Sequence, residues 1–237
     1  MLRVDKFYSE SVGIIHFVYC LYNERFKEVF SEQSIDLLHW ERGYPLSAPK
    51  RLNPELDVDS KVFITSEKMS WCQIIYQLSH EFSHVAMGCC PNNKKIKWIS
   101  ECLCEAASIY TLKKSIPFFE ERCPSYVRGA KEYIDNIIIK SPTFFLEEIK
   151  DYISDNICEL KEDPTEDTRD GRPRNDVIGK HWVKFIEENE EGWAAIALFS
   201  EIEDEEMDEV TFLKEWYLKC RNENERNFVM NITETIL

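Results

Sequence analysis

The spacing of apolar positions changes near residue 66, and the change divides the chain into two kinds of structure. Before it, a short β-branched run at 61–65 (KVFIT) is flanked by polar residues and predicts a strand. The apolar segment at 12–22 (VGIIHFVYCLY) fits either a core strand or a core helix. We therefore expect mixed strand and helix in this first region, with all strands before residue 70.

After residue 66 the apolar positions recur at helical spacing. The spacing predicts a helix that begins after Ser66 or Ser70, reaches about Met87 and has Gly88 beyond its C-terminus. A glycine in that place is typical of a helix end, because it adopts the left-handed conformation without strain. The apolar positions that carry the pattern are Trp71, Ile74, Ile75, Leu78 and Val85.

The rest of the chain is predicted to be mainly helical. A second helix starts near Lys97, continues past Tyr110 and is interrupted by the proline-containing segment 115–124 (SIPFFEERCP). The most polar stretch, 160–176, is expected to form a loop or a lid. Further helices are predicted at about 125–139 and 143–158, with two or three more before the end.

The composition of the chain argues against two classes of binding partner, nucleic acids and membranes. The formal net charge of −15 gives a solvated acidic surface that repels phosphate backbones, so nucleic acid is not an expected partner. No apolar run approaches the roughly 20 residues that span a bilayer, so no membrane association is expected. The nine cysteines are an odd number without a secretory signal pattern, which favours reduced thiols in a cytoplasmic protein.

The first predicted helix carries an HExxH motif in the stretch QLSHEFSHVAMG. His80 and His84 are four residues apart, so both imidazoles lie on one face of the helix and can bind one metal ion. Glu81 lies about 100° around the helix from His80, next to the metal but off the line of the two ligands. This is the position expected of a general base that accepts a proton from a metal-bound water. The alternative is a hydrogen-bonded cluster of core histidines, and the motif by itself leaves it open.

The second predicted helix offers two acids at the same spacing. Glu101 and Glu105 share a face within an otherwise apolar and small-residue stretch, where carboxylates are costly unless paired or metal-bound. A zinc site with two histidines needs a third protein ligand, and Glu101 fits that place. Glu105 would accept the free N–H of one ligand histidine. Alternatively, both acids are surface residues of an amphipathic helix.

Together these motifs resemble the gluzincin metallopeptidases, which include thermolysin-like and aminopeptidase-N-like families. The resemblance rests on HExxH followed by Trp98-x-x-Glu101 on the next helix. The segment Tyr126-Val-Arg-Gly-Ala is similar to the Y-x-K-G-A/S of the aminopeptidase-like families. It implies that Tyr126 stabilises the oxyanion. His181 could be a second oxyanion donor, as a histidine is in thermolysin-like enzymes, or a structural histidine.

The resemblance implies a zincin-like α+β fold: a small N-terminal sheet plus the active-site helix, followed by a mainly helical C-terminal half. The expected subdomains are 1–115, with both ligand helices, and 116–237, helical. The implied activity is that of a Zn²⁺-dependent metallopeptidase, a hydrolase with a peptide or protein substrate. Glu81 would accept a proton from the attacking water and pass it to the leaving amine. The strand at 61–65 is a candidate sheet edge for binding the peptide by strand addition.

Two other interpretations remain. A catalytically silent protein of gluzincin fold would use the same site for binding or regulation, and a metal-free helical protein would carry the motif by chance. The sequence does not decide between endopeptidase and exopeptidase activity. Four cysteines lie near the motifs and are expected to be buried as small apolar residues, with a thiolate ligand as the alternative: Cys89, Cys90, Cys102 and Cys104.

Overall fold

The computed structural model shows an α+β protein in which the described strands lie at the N-terminal end and helices follow. This confirms the predicted α+β class and the position of the strands before residue 70 within the described part of the chain, whereas the zincin-like arrangement stays a prediction. The structure describes residues 1–41, 44–50, 53–88, 93–139, 145–161, 172–202 and 206–237.

One mixed sheet is formed by four described strands: β1 (Leu2–Val4), β2 (Ile35–His39), β3 (Leu46–Pro49) and β4 (Ser60–Ile64). Their order is β1-β2-β4-β3, with β1, β2 and β4 parallel and β3 antiparallel to β4. The predicted strand at KVFIT is therefore confirmed as β4. Its predicted position at the sheet edge is wrong, because β4 pairs with β2 on one side and β3 on the other.

Helix α1 (Val12–Arg25) resolves the ambiguous N-terminal segment in favour of a helix, and the short α2 (Lys27–Phe30) follows it. Helix α3 (Trp71–Ala86) carries the HExxH motif and packs against α1, β3 and β4. Its predicted end is confirmed, since Gly88 has a φ of 74° just beyond the helix. The HExxH helix thus lies directly on the sheet, beside the edge strand β3.

Helix α4 (Lys94–Arg122) runs without interruption through Pro117, which corrects the predicted break at 115–124. A proline inside a helix removes one hydrogen bond and crowds the preceding turn. Aromatic packing of the two residues after the proline opposes that cost. The Phe118 ring lies 5.0 Å from Phe17, and the fully buried Phe119 lies 5.0 Å from Tyr126. Local proline chemistry is therefore outweighed by tertiary packing.

The remaining described segments are helical. The predicted loop at 160–176 is wrong at its two ends, because one helix extends to Lys161 and the next begins at Arg172. Residues 162–171 lie outside the described residues, as does any lid function there. None of the described helices has the length and apolar character needed to cross a bilayer. These helices are α5 (Val127–Ile139), α6 (Leu146–Lys161), α7 (Arg172–Glu188), α8 (Glu209–Lys219) and α9 (Glu223–Ile236), with 3₁₀ segments at Lys6–Ser11, Pro124–Tyr126 and Gly192–Glu201.

The chain divides into two compact units, each built from two stretches of sequence. The first unit combines Met1–Cys89 with Ser108–Asn136 and contains the sheet and α3. The second combines Cys90–Ala107 with Ile137–Leu237 and is helical. The division falls within α4. The expected subdomains 1–115 and 116–237 were defined by a zincin-like core, and they stay a prediction.

Candidate metal centre

The two histidines of the HExxH motif lie one turn apart on α3. The ring centroids of His80 and His84 are 5.0 Å apart, and their planes are inclined by 70°. His84 is buried and His80 is half-buried. Two imidazoles at this separation on one helix face can bind the same metal ion.

Hydrogen bonds from α1 hold the two turns of α3 that carry the histidines. The buried Tyr22 hydroxyl donates to the main-chain oxygen of Ser79 at 2.7 Å and lies 2.8 Å from Ser83 Oγ. Each of these serines immediately precedes one histidine. Because buried polar groups are costly to leave without partners, a rotation of α3 that broke these bonds would be opposed. The two imidazoles are therefore fixed by α1 as well as by their own helix.

Glu81 is also buried, although glutamate is among the residue types that are rarely buried. Removing a carboxylate from water is costly unless it is hydrogen-bonded or paired with a cation. A buried acid next to two imidazoles is typical of a functional site rather than of a solvated helix face. The role of Glu81 as a general base stays a prediction.

The third donor atom in the structure comes from α4. The donor atoms of His80, His84 and Cys104 all lie within 4.8 Å of one another, which makes these residues a group that can hold a metal ion. Donor atoms of a tetrahedral zinc site are about 3.5 Å apart, given bonds of roughly 2.0–2.3 Å. The three donors therefore lie close enough together to be candidate ligands of one metal ion.

The two cysteines of the C-x-C sequence on α4 have different surroundings. The Cys102 thiol donates to Asn175 Oδ1 at 3.7 Å. Burial raises the pKa of the Cys102 thiol well above its usual value, and the neighbouring acids Glu101, Asp176 and Glu105 raise the pKa further. Residues two apart on a helix point about 200° away from each other, so Cys104 lies on another face. Only Cys104 belongs to the metal-binding group found among the described residues.

The two predicted acids of α4 are partly or wholly removed from solvent. Glu105 is buried and Glu101 is half-buried, which does not fit the alternative of a freely solvated face. Glu101, the third ligand expected from the sequence, is absent from the group of three donors that the described residues form. Its role as a ligand and that of Glu105 as a histidine partner stay predictions.

Tyr126 lies against the first turn of α3 rather than against the histidine turns. Its ring centroid is 4.9 Å from Trp71 and 5.0 Å from Phe119, and its hydroxyl contacts the Cys72 thiol. Cys72 precedes His80 by eight residues, or about 12 Å of helix rise. Burial raises the pKa of Tyr126 to about 12, so the hydroxyl stays protonated at neutral pH. The described contacts of Tyr126 do not bring it to the histidines.

His181 is buried on α7, and its ring packs edge-on against Phe185 at 5.9 Å. Gly179, two residues earlier, is the point at which α7 approaches Cys102 and Glu105 of α4. Two helical residues correspond to about 200° of rotation, so His181 points away from that contact. A role for His181 as an oxyanion donor stays a prediction.

The chain was compared with known families and proteins. No protein-family model, curated protein or solved structure gives a significant match. The resemblance to gluzincins therefore rests on the short motifs alone. The positions of the described side chains are the other basis for proposing a function.

The sequence analysis kept a thiolate ligand at Cys104 only as the alternative to burial and expected Glu101 as the third ligand. The C-x-C spacing at 102–104 is unlike that of zinc ribbons, and both cysteines are embedded in an apolar helix, so burial as small apolar residues is the simpler interpretation. The only local signal was helical phase. Cys104 follows Glu101 by three residues and precedes Glu105 by one, so the three side chains occupy neighbouring positions around the helix.

Proposed function

We propose that this protein is a zinc-dependent hydrolase, and specifically a metallopeptidase that cleaves peptide bonds with an activated water. The single observation that supports the proposal best is the convergence of donor atoms from His80, His84 and Cys104, with the buried Glu81 next to His80 in the chain. Two histidines and a third ligand leave a tetrahedral metal one position for water, as catalytic zinc sites require.

Zinc is the proposed metal because of the donor atoms. Imidazole nitrogen and thiolate sulfur suit zinc and other late transition metals, whereas magnesium and calcium prefer oxygen. The same reasoning holds if Glu101 replaces Cys104, since two histidines and a glutamate also form a catalytic zinc site. A bound zinc ion would act as a Lewis acid, polarising a carbonyl and lowering the pKa of water.

In this proposal Glu81 accepts a proton from the attacking water and then donates it to the leaving amine. His80 and His84 hold the metal, and the hydrogen bonds of Tyr22 to Ser79 and Ser83 keep them in register. Glu105 accepts the remaining N–H of one histidine and so fixes its tautomer. Each role uses a buried or half-buried side chain on α3 or α4.

A peptide substrate is supported by the edge strand β3, which lies against α3. Lys50 N–H donates to Asp59 O at 2.7 Å. Because main-chain groups along an antiparallel strand alternate between facing the partner strand and facing outward, the N–H and C=O of Ser47, three residues earlier, point away from β4. Outward main-chain groups at a sheet edge can pair with an extended peptide. The edge therefore offers main-chain recognition next to the helix that carries the histidines.

A catalytically silent metal-binding protein is the second candidate. It is favoured by the burial of Cys104 and His84, because structural zinc sites are closed to solvent and often contain thiolate ligands. A hydroxamate discriminates between the two candidates. It displaces a water from an open zinc site and inhibits hydrolysis, whereas a closed structural site gives no binding.

The test of the proposed site is the zinc content of matched cysteine variants. We expect Cys104→Ser to lose most of its zinc, because the hydroxyl replaces a thiolate donor. Cys102→Ser should keep wild-type zinc content, because Cys102 bonds to Asn175 and lies on another helix face. Zinc per chain is measured by plasma mass spectrometry on protein purified without chelator or histidine tag.

Glu101→Gln completes this comparison. Loss of zinc in Glu101→Gln with retention in Cys104→Ser would make Glu101 the third ligand and Cys104 a buried thiol. Retention of zinc in all three variants would show that α4 supplies no essential ligand, and the proposed site would then be wrong.

Tyr126→Phe tests the oxyanion role that the resemblance implies. From its contacts with Trp71, Phe119 and Cys72 we expect less than about a tenfold decrease in kcat and a stability loss of about 1 kcal/mol or less. The measurements are steady-state peptide hydrolysis and thermal unfolding. A decrease in kcat of about 100-fold or more, with unchanged zinc content, would instead place the hydroxyl at the reacting carbonyl.

A further inference from the structure

Helix α7 approaches helix α4 closely at Gly179. A Cβ atom built on Gly179 would lie 2.6 Å from Glu105 Cβ, 2.7 Å from Glu105 Cγ and 2.8 Å from the main-chain oxygen of Cys102. Carbon atoms of side chains do not approach other heavy atoms this closely. Any residue larger than glycine therefore requires α4 or α7 to move.

Position 179 requires a glycine because a side chain would not fit there, and not because of its backbone conformation. Gly88 is the one described glycine with a positive φ, so Gly179 has an ordinary helical backbone. One of the three close atoms is a main-chain oxygen, which cannot escape by a change of side-chain rotamer. Two other helical glycines, Gly13 and Gly129, have open space around the same position. Among these three helical glycines, Gly179 is the one whose Cβ position is occupied by atoms of α4.

Asn175 reaches the same part of α4 from one turn earlier on α7. It is buried, and its Oδ1 accepts the hydrogen bond from the Cys102 thiol at 3.7 Å. Asn175 and Gly179 are four residues apart and share one face of α7. Together they contact α4 at Cys102, two residues before the donor Cys104, and at Glu105, one residue after it.

The geometry points to Gly179 and Asn175 as positioning residues for the metal centre. They hold the turn of α4 at 102–105 in the position from which Cys104 binds the metal. This inference rests on the proposed metal site. A ligand must be placed within a few tenths of an ångström, so a turn displaced by a new methyl group should bind metal more weakly even in a folded protein.

The test is the zinc affinity of Gly179→Ala, measured by competition with a chromophoric chelator. We expect zinc binding about 10- to 100-fold weaker, the range found when groups that orient metal ligands are removed. We also expect a smaller zinc-induced rise in Tm, because that rise depends on zinc affinity. A role in packing alone would lower Tm equally with and without zinc and leave the affinity unchanged.

Gly192→Ala is the matched control. A Cβ at Gly192 would lie 2.4 Å from both Asn189 Nδ2 and Asn224 O, so this variant is crowded in the same unit, and its nearest atoms do not belong to α4. It should lower Tm but keep wild-type zinc affinity. Gly13→Ala, with nothing within 4 Å of the new atom, controls for the substitution itself and should change neither quantity.

Asn175→Ala keeps the inference testable if Gly179→Ala does not fold, because it adds no atoms. It should weaken zinc binding and change the visible absorption spectrum of the cobalt-substituted protein, which reports ligand geometry. Wild-type affinity and spectrum in Asn175→Ala, with wild-type affinity in any folded Gly179→Ala, would overturn the positioning role while leaving the metal site intact. Absence of zinc binding in the unmodified protein would instead overturn the proposed function.

Discussion

Replacing Glu81 by Gln should reduce peptide hydrolysis by about 100- to 10,000-fold while zinc remains bound. The amide has nearly the shape of the carboxylate but cannot accept the proton of the attacking water. Because glutamine and glutamate are nearly equal in size, the substitution opens no cavity at this buried position. The loss should appear in kcat, since the proton transfer belongs to the chemical step.

The measurement is the cleavage of a quenched fluorescent peptide library, followed by kinetics on the best substrate. Glu10→Gln is the control, because Glu10 is an exposed acid that pairs with Lys68 at 3.1 Å. Hydrolysis at the wild-type rate in Glu81→Gln would remove Glu81 from the mechanism. Loss of zinc in the same variant would reassign Glu81 as a ligand.

Replacing His84 by Ala should reduce zinc from one ion per chain to none at micromolar protein concentration. Two strong donors would remain, Nε2 or Nδ1 of His80 and Sγ of Cys104, which is one fewer than zinc sites in proteins require. The zinc-dependent rise in Tm should disappear with the metal, because a ligand that no longer binds the native state cannot stabilise it. His16→Ala, at an exposed histidine next to Cys20, should keep both properties.

Metal analysis and thermal unfolding with and without EDTA decide this prediction. A wild-type protein that holds no metal, and whose Tm does not respond to zinc, would show that His80 and His84 are core residues. The enzyme proposal would then be abandoned. Zinc that remains in His84→Ala would place the metal elsewhere in the chain.

The elements that were predictable from the sequence have a strong local signal. In α3 two local signals predict the same helix. Its apolar positions recur at helical spacing, and they end just before a glycine that has the left-handed conformation. The β-branched run of β4 is similarly clear. Its neighbours in the sheet were not predictable, because strand order depends on pairing between segments distant in the chain.

The break predicted at Pro117 shows the opposite case. The local rule is correct about the cost of a proline in a helix, but Phe118 packs against Phe17 and Phe119 packs against Trp71, which are distant in the chain. The residues of the candidate site also differ in how far the sequence predicts them. His80, Glu81 and His84 were predictable because one helix turn sets their spacing. Among the cysteines near the motifs, the sequence alone did not single out Cys104, whereas the described residues do.

The edge strand β3 also affects how the protein behaves in concentrated solution. In the register set by Lys50 and Asp59, Pro49 occupies an outward-facing position, so the missing N–H removes a donor from the free edge and not from the sheet. Prolines and short length at sheet edges oppose the edge-to-edge growth that leads to fibrils. A four-residue strand ending in proline is a poor template for aggregation.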